Sequence, residues 1–153
     1  MTTIVYDHTN KQIAVDGRIT SGGVINTETA EKWVQDGDDF WFICGSVSDE
    51  ERLINHINAI EPEAPKWAIE CAALLVRGST VYLCSVTEEG EPSVSKIGYS
   101  DGIGSGGVFA LTALDHGKSA HEAVAYAATR DTGTGGKIMV MNVETMEFID
   151  GNC

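Results

Sequence analysis

The chain has 153 residues, 42% of them hydrophobic, which suffices for one compact domain, residues 1–153, with a sizeable core and is too little for two independent ones. Ten basic residues against 23 acidic give a net charge of -13, a balance that repels phosphate backbones and anionic headgroups and so argues against nucleic acid and membrane surfaces as partners. Every hydrophobic run is broken by charge or glycine within a few residues, so no segment is expected to cross a bilayer.

Thr3-Ile4-Val5-Tyr6 is β-branched and aromatic, and residues 12–15 form a second extended run, joined to it across Asp7-His8-Thr9-Asn10-Lys11. Together they predict an opening hairpin, after which Asp16-Gly17 turns the chain. Residues 31–35 and 40–44 predict another strand pair, connected through Asp36-Gly37-Asp38. Ser48 followed by Glu51 has the spacing of a capping box, so a helix is expected to start there, with Asp49 and Glu50 near the positive end of its dipole. Leu53, Ile54, Ile57 and Ile60 give it one apolar face, and Pro62 ends it after about three turns. The connection that follows, residues 61–65, is acidic and proline-containing.

Two apolar runs, 70–76 and 80–86, flank Arg77-Gly78-Ser79 and predict a second hairpin, with a further strand over 94–99. After Gly102-Ile103-Gly104-Ser105-Gly106-Gly107 the pattern turns helical over 108–116 and stops at Gly117. Ser119 with Glu122 repeats the capping-box signature and opens a second helix to about residue 128. Residues 138–143 and 147–149 read as closing strands. Strands and helices are thus segregated rather than alternating, which indicates an α+β fold.

Cys44, Cys71, Cys84 and Cys153 lack CxxC spacing and no cationic, apolar leader opens the chain, so a reducing cytoplasm is the expected compartment. The four histidines show no metal-ligand spacing with them, and neither a metal nor any other cofactor is expected. The chemistry instead starts at Met1-Thr2. If Met1 is removed, Thr2 carries a hydroxyl and an α-amine on one residue, and an amine with an ordinary pKa near ~8 can act through water as base for its own side chain. Such a site needs a cation nearby, a carboxylate to orient it and backbone donors for an oxyanion. Asp16 at the end of the second strand, Lys32 in the third and Gly45-Ser46 at the strand-to-helix junction are of the right type.

In that order the residues resemble the proteasome β-subunit family, most closely its bacterial HslV-type threonine peptidases, over nearly the whole chain. Thr2-Thr3-Ile4-Val5 resembles the mature N-terminus of those subunits and Asp16-Gly17-Arg18 their aspartate turn. Lys32 falls where their catalytic lysine is expected, and Cys44-Gly45-Ser46 with Asp49 is similar to their oxyanion loop. Gly104-Ser105-Gly106-Gly107 is similar to their glycine-rich serine motif, and Arg130-Asp131-Thr132-Gly133-Thr134-Gly135-Gly136 to their second aspartate and serine motif, with Thr134 in place of the usual serine.

The resemblance implies an Ntn-hydrolase fold, a four-layer αββα sandwich of two stacked antiparallel sheets. Its helical layer would be reduced here, because residues 59–67, with Pro62 and Pro65, are too few for the second helix of the family. It further implies Thr2 as nucleophile and base, Lys32 lowering its effective pKa, Asp16 orienting Lys32, and Gly45 as oxyanion donor. Ser105, Asp131 and Thr134 would hold the N-terminal amine. Thr20 would pair with substrate backbone, and Ala30, Ile43 and Val47 would line a first specificity pocket for a modest hydrophobic side chain. The implied partners are copies of the chain in a ring or stacked rings, a polypeptide substrate, and an ATP-driven unfoldase. Two alternatives share these residues: a silent structural or interaction subunit that keeps Met1, and an amidase for a small non-peptide amide.

Overall fold

In the computed structural model, which describes residues 1–59 and 69–149, the opening run forms β1 (Ile4–Asp7) and pairs antiparallel with β2 (Gln12–Val15). A small separate ribbon follows, β3 (Ile19–Ser21) and β4 (Val24–Thr27), and then β5 (Trp33–Asp36) and β6 (Asp39–Gly45). Helix α1 (Glu50–Ile57) precedes β7 (Cys71–Arg77), β8 (Thr80–Val86), β9 (Pro92–Lys96) and β10 (Asp101–Ile103). Helices α2 (Gly107–Asp115) and α3 (Ala120–Ala128) lead to β11 (Met139–Asn142) and β12 (Glu147–Ile149). Two five-stranded antiparallel sheets result, ordered β10-β1-β2-β11-β12 and β5-β6-β7-β8-β9.

The period of two along each strand sorts its side chains into layers. Ile4, Tyr6, Ile13 and Val15 from the first sheet meet Phe40, Phe42, Leu74 and Val76 from the second in one buried cluster between the sheets. The residues between them, Val5, Ala14 and Val140, face the other way and pack under Ala110, Ala123, Val124 and Ala127 of α2 and α3. On the far side, Trp41, Ile43, Ala73 and Leu75 pack beneath Leu53 and Ile54 of α1. The alanines on α2 and α3 let those helices lie close to the first sheet. Each large inward side chain contributes about 1.5–3 kcal/mol by leaving water. The molecule is an α+β sandwich whose layers run helices, sheet, sheet, helix, and among the described residues only α1 covers the outer face of the second sheet.

Several sequence expectations shift. The chain does not enter α1 through a capping box at Ser48: Val47–Asp49 form a 3-10 turn, the N-cap is Asp49 without a side-chain cap bond, and the Ser46 and Ser48 hydroxyls bond each other at 2.9 Å. Helix α1 is eight residues, ending at Asn58 and a left-handed Ala59; Ile60, Pro62 and Pro65 lie outside the described residues. The strand expected over 94–99 lies two to three residues earlier, because Pro92, which has no N–H to give, can open an edge strand. The resemblance implies a hairpin between Asp16-Gly17-Arg18 and Lys32, and the ribbon β3–β4 lies there; strand β10 has no forerunner in the residue pattern. The box at Ser119 is present, with both its hydrogen bonds formed.

Candidate active site

Strand β1 lies inside the first sheet, between β10 and β2, and so fixes where Thr2 lies. Thr3, its neighbour, is wholly buried and donates its N–H to Asp16 Oδ1 at 3.0 Å, while Asp16 returns its own N–H to the Thr3 carbonyl at 3.3 Å. Asp16 stands one residue past β2, so the β1–β2 pairing places this carboxylate beside the N-terminus. Its other oxygen accepts the N–H of Gly135 at 3.0 Å and that of Arg18 at 3.4 Å. The Lys32 ammonium closes the arrangement, 2.9 Å from Asp16 Oδ1 and 3.0 Å from the Met1 carbonyl oxygen. The side chains of this pair are 7% and 0% exposed, so the charges interact in a poorly screened setting. Asp16 and Lys32, expected together, are therefore in direct contact next to Thr2, itself 7% exposed.

A second network reaches Thr2 through Ser105, whose hydroxyl lies 3.4 Å from the Thr2 carbonyl oxygen. Ser105, in the loop between β10 and α2, donates to Asp131 Oδ2 at 2.6 Å, and Thr134 donates to the same oxygen at 2.7 Å. Gly133 N–H reaches Asp131 Oδ1 at 3.3 Å. Burial pushes the Asp131 carboxyl up, but these three donors and the nearby N-terminal ammonium outweigh it and hold the group below the usual carboxylate range. A Cβ on Gly104 would collide with the Thr2 carbonyl and one on Gly106 with the Thr3 hydroxyl, which is why small residues flank Ser105. Ser105, Asp131 and Thr134 are thus brought together, with the Met1 ammonium close enough to act on Asp131.

One member had no sequence signal: Thr3 reads only as a β-branched strand residue. Its Oγ1 lies 2.6 Å from Thr134 Oγ1, and since the single Thr134 proton goes to Asp131, Thr3 must be the donor. Thr3 therefore ties the Asp16 network to the Asp131 network.

Gly45 ends β6, the strand that pairs with β5 just after Lys32. Its φ is +111°, and a Cβ there would strike the backbone of Glu70 and Cys71, so the close approach of β6 to β7 at this point excludes a side chain. Ile43 N–H donates to the Lys32 carbonyl at 3.2 Å, and alternation along β6 places the Gly45 N–H on that same edge, beyond the first residue of β5. Asp49 braces the loop: it accepts from Glu70 N–H at 2.9 Å while Ser46 N–H donates to the Glu70 carbonyl at 2.9 Å. Among the described residues the cysteines, Cys44, Cys71 and Cys84, offer no competing nucleophile at neutral pH. Burial pushes the Cys44 thiol up, Cys71 up to about 12 and Cys84 up to about 11.

The residues expected in a first pocket differ in burial. Ile43 is buried beneath α1, Val47 is 71% exposed on the 3-10 turn, and Ala30 is tied by its N–H to the Gly17 carbonyl at 2.9 Å. Thr20 instead borders a cleft of about 560 Å³, together with Met1, Arg18, Ile25, Thr132 and Gly133, and Ala30, Ile43 and Val47 do not reach it.

No family profile and no curated protein matches the chain in sequence. Solved structures do match. A eukaryotic HslV from Trypanosoma brucei is 19% identical, with 91% of this chain and 97% of that one covered and a TM-score of 0.67. Thiobacillus denitrificans BPH is 16% identical over 94% of this chain and 98% of its own, with a TM-score of 0.69. Its complex with epoxomicin is 17% identical over 93% and 98%, with a TM-score of 0.68. The chain has the HslV fold. At this level of identity the likeness concerns backbone architecture alone, so on this HslV fold the chemistry rests on the two networks, the Gly45 edge and the cleft described above. Among the described residues no helix is long and apolar enough to cross a membrane.

Proposed function

We propose that the chain is a threonine peptidase subunit in which Thr2, freed of Met1, is both nucleophile and base. The observation that supports it is the buried Lys32 ammonium, held by Asp16 and donating to the Met1 carbonyl, the atom pair adjacent to Thr2. Thr2 Oγ attacks a substrate amide carbon while its proton passes to the Thr2 amine, and the Gly45 N–H meets the oxyanion. The carbon–nitrogen bond then breaks, the leaving amine takes that proton, and water activated by the same amine hydrolyses the Thr2 ester. Lys32 favours the developing alkoxide, Asp16 fixes Lys32, and Ser105, Asp131 and Thr134 hold the freed amine. The proposal extends to self-association into rings, an ATP-driven unfoldase as partner, and a cytoplasmic location.

Intact mass of natively expressed protein, before and after a threonine-reactive peptide electrophile, tests this directly; epoxomicin, bound in one structural neighbour, is the first probe to use. Loss of Met1 and one adduct on Thr2 are expected. Thr2→Ala should abolish both adduct and peptide hydrolysis while the fold is kept, and unchanged turnover in that variant would rule Thr2 out.

A specific observation also favours the silent-subunit reading. Met1, though 63% exposed, has its carbonyl held by Lys32 and its side chain against Gly133, where a Cβ would strike it. Retained Met1 with no adduct would decide for that reading.

A further inference from the structure

The cleft beside Met1 touches the Asp16 network at Arg18 and the Asp131 network at Gly133, and its walls differ from the residues expected of a first specificity pocket. We propose that it receives the leaving half of a peptide substrate, and that Arg18 selects leaving halves carrying a carboxylate. This rests on the threonine-peptidase reading.

The side of the scissile bond follows from proton transfer. The leaving nitrogen must collect its proton from the Thr2 amine, so it has to approach that amine within hydrogen-bond reach. Met1 is bonded to the same nitrogen, and the space around Met1 is therefore the space that the leaving half enters once Met1 is gone. That space is the cleft of about 560 Å³, with the ribbon residues Thr20 and Ile25 on one wall and Thr132 and Gly133 on the other. The volume is large enough for several residues' worth of side chain and backbone.

Arg18 is the one charged side chain that borders it among the described residues. Its guanidinium is fixed in place: Nε and Nη2 donate to Glu28 at 2.8 and 3.3 Å, Nη1 donates to the Thr132 carbonyl at 3.2 Å, and the group lies across Gly135, where any Cβ would meet it. Five N–H groups less three leaves two uncommitted, on a planar fork suited to a carboxylate. A positive group already held rigid at the cleft wall loses little entropy when it binds an anion. The rest of the protein is strongly acidic, so a carboxylate finds attraction at this wall and repulsion elsewhere on the molecule.

Binding is measured first, so that the outcome does not hang on catalysis. Protein lacking Met1 is titrated by NMR with three tripeptides: trialanine with a free terminal carboxylate, trialanine amide, and Ala-Glu-Ala amide. The two carboxylate peptides should bind about tenfold more tightly than the neutral amide, the scale of a charge-assisted hydrogen bond. A preference for the free acid alone identifies a terminal carboxylate as the ligand, and one for the glutamyl amide alone identifies an acidic side chain. Arg18→Gln should erase the preference. Glu28→Gln, which leaves the guanidinium uncompensated, should enlarge it several-fold, a gain that misfolding cannot mimic. Equal binding of acid and amide, or a preference that survives in Arg18→Gln, overturns the proposal. A Thr2 adduct without carboxylate preference sinks the role of Arg18 and keeps the peptidase; carboxylate preference without an adduct keeps the Arg18 site and sinks the peptidase.

Discussion

Asp16 and Lys32 are unequal partners, and the inequality can be measured. Asp16 also accepts backbone N–H groups from Thr3, Gly135 and Arg18, so its carboxylate stays solvated by the protein if Lys32 is lost. Among the described residues the Lys32 ammonium donates only to Asp16 and the Met1 carbonyl, and removal of Asp16 strands a buried ammonium and three backbone donors at once. Lys32→Met, which keeps the aliphatic stem, should therefore cost about 1.5–3 kcal/mol, whereas Asp16→Ala should cost about 3–5 kcal/mol. Urea denaturation of the two variants checks the order. If Lys32→Met were the more damaging, the backbone donors around Asp16 would not be supporting its charge. Thr2 labelling should fail in both, so stability and labelling together separate a structural pair from one that also serves the chemistry.

At the scale of elements, what could be read from the chain depended on whether a segment has a two-sided environment. β1, β2, β6 and β7 lie between layers, and their alternating or continuous apolar residues announce them. The ribbon β3–β4 pairs with neither five-stranded sheet, its residues are largely exposed, and so Ile19-Thr20-Ser21 carries no pattern to detect. β10 hides in glycine-rich sequence because Gly102 must pack against Gly107 of α2. Ser48 misled because Asp49, one residue later, does the bracing through Glu70 and Arg52. The site was legible through the order of Asp16, Lys32, Gly45, Ser105 and Asp131, whose types and motifs survive in sequence; Thr3 and the cleft wall at Arg18 depend on three-dimensional placement. Two variants contrast a loop that shapes the site with a cap that does not. Ser119→Ala removes the capping box of α3 and should cost about 1 kcal/mol with Thr2 labelling unchanged. Gly45→Ala puts a Cβ into the β7 backbone at a φ of +111° and should cost more than ~1 kcal/mol and abolish labelling. Normal labelling in Gly45→Ala would remove Gly45 from the oxyanion role.

Over the whole molecule, charge is distributed as unevenly as the layers are. Residues 33–91, which hold β5 to β8 and α1, contain 12 of the 23 acidic residues and three of the ten basic ones, nine of the thirteen excess negative charges. That half of the sandwich repels itself, and exposed like charges a Debye length apart, about 8 Å at physiological ionic strength, are relieved by added salt. The buried Asp16–Lys32 pair is shielded from ions and should not weaken in the same range. Raising sodium chloride from about 20 mM to about 500 mM, which shortens the screening length several-fold, should therefore raise Tm by a few degrees. Substituting Glu88, Glu89 and Glu91 in the β8–β9 turn by glutamine should reproduce part of the gain at low salt and flatten the salt response. A Tm that falls with salt would mean that surface ion pairs such as Arg77–Asp39 outweigh the repulsion, and the excess charge would then have to be sought in assembly rather than in the stability of the single chain.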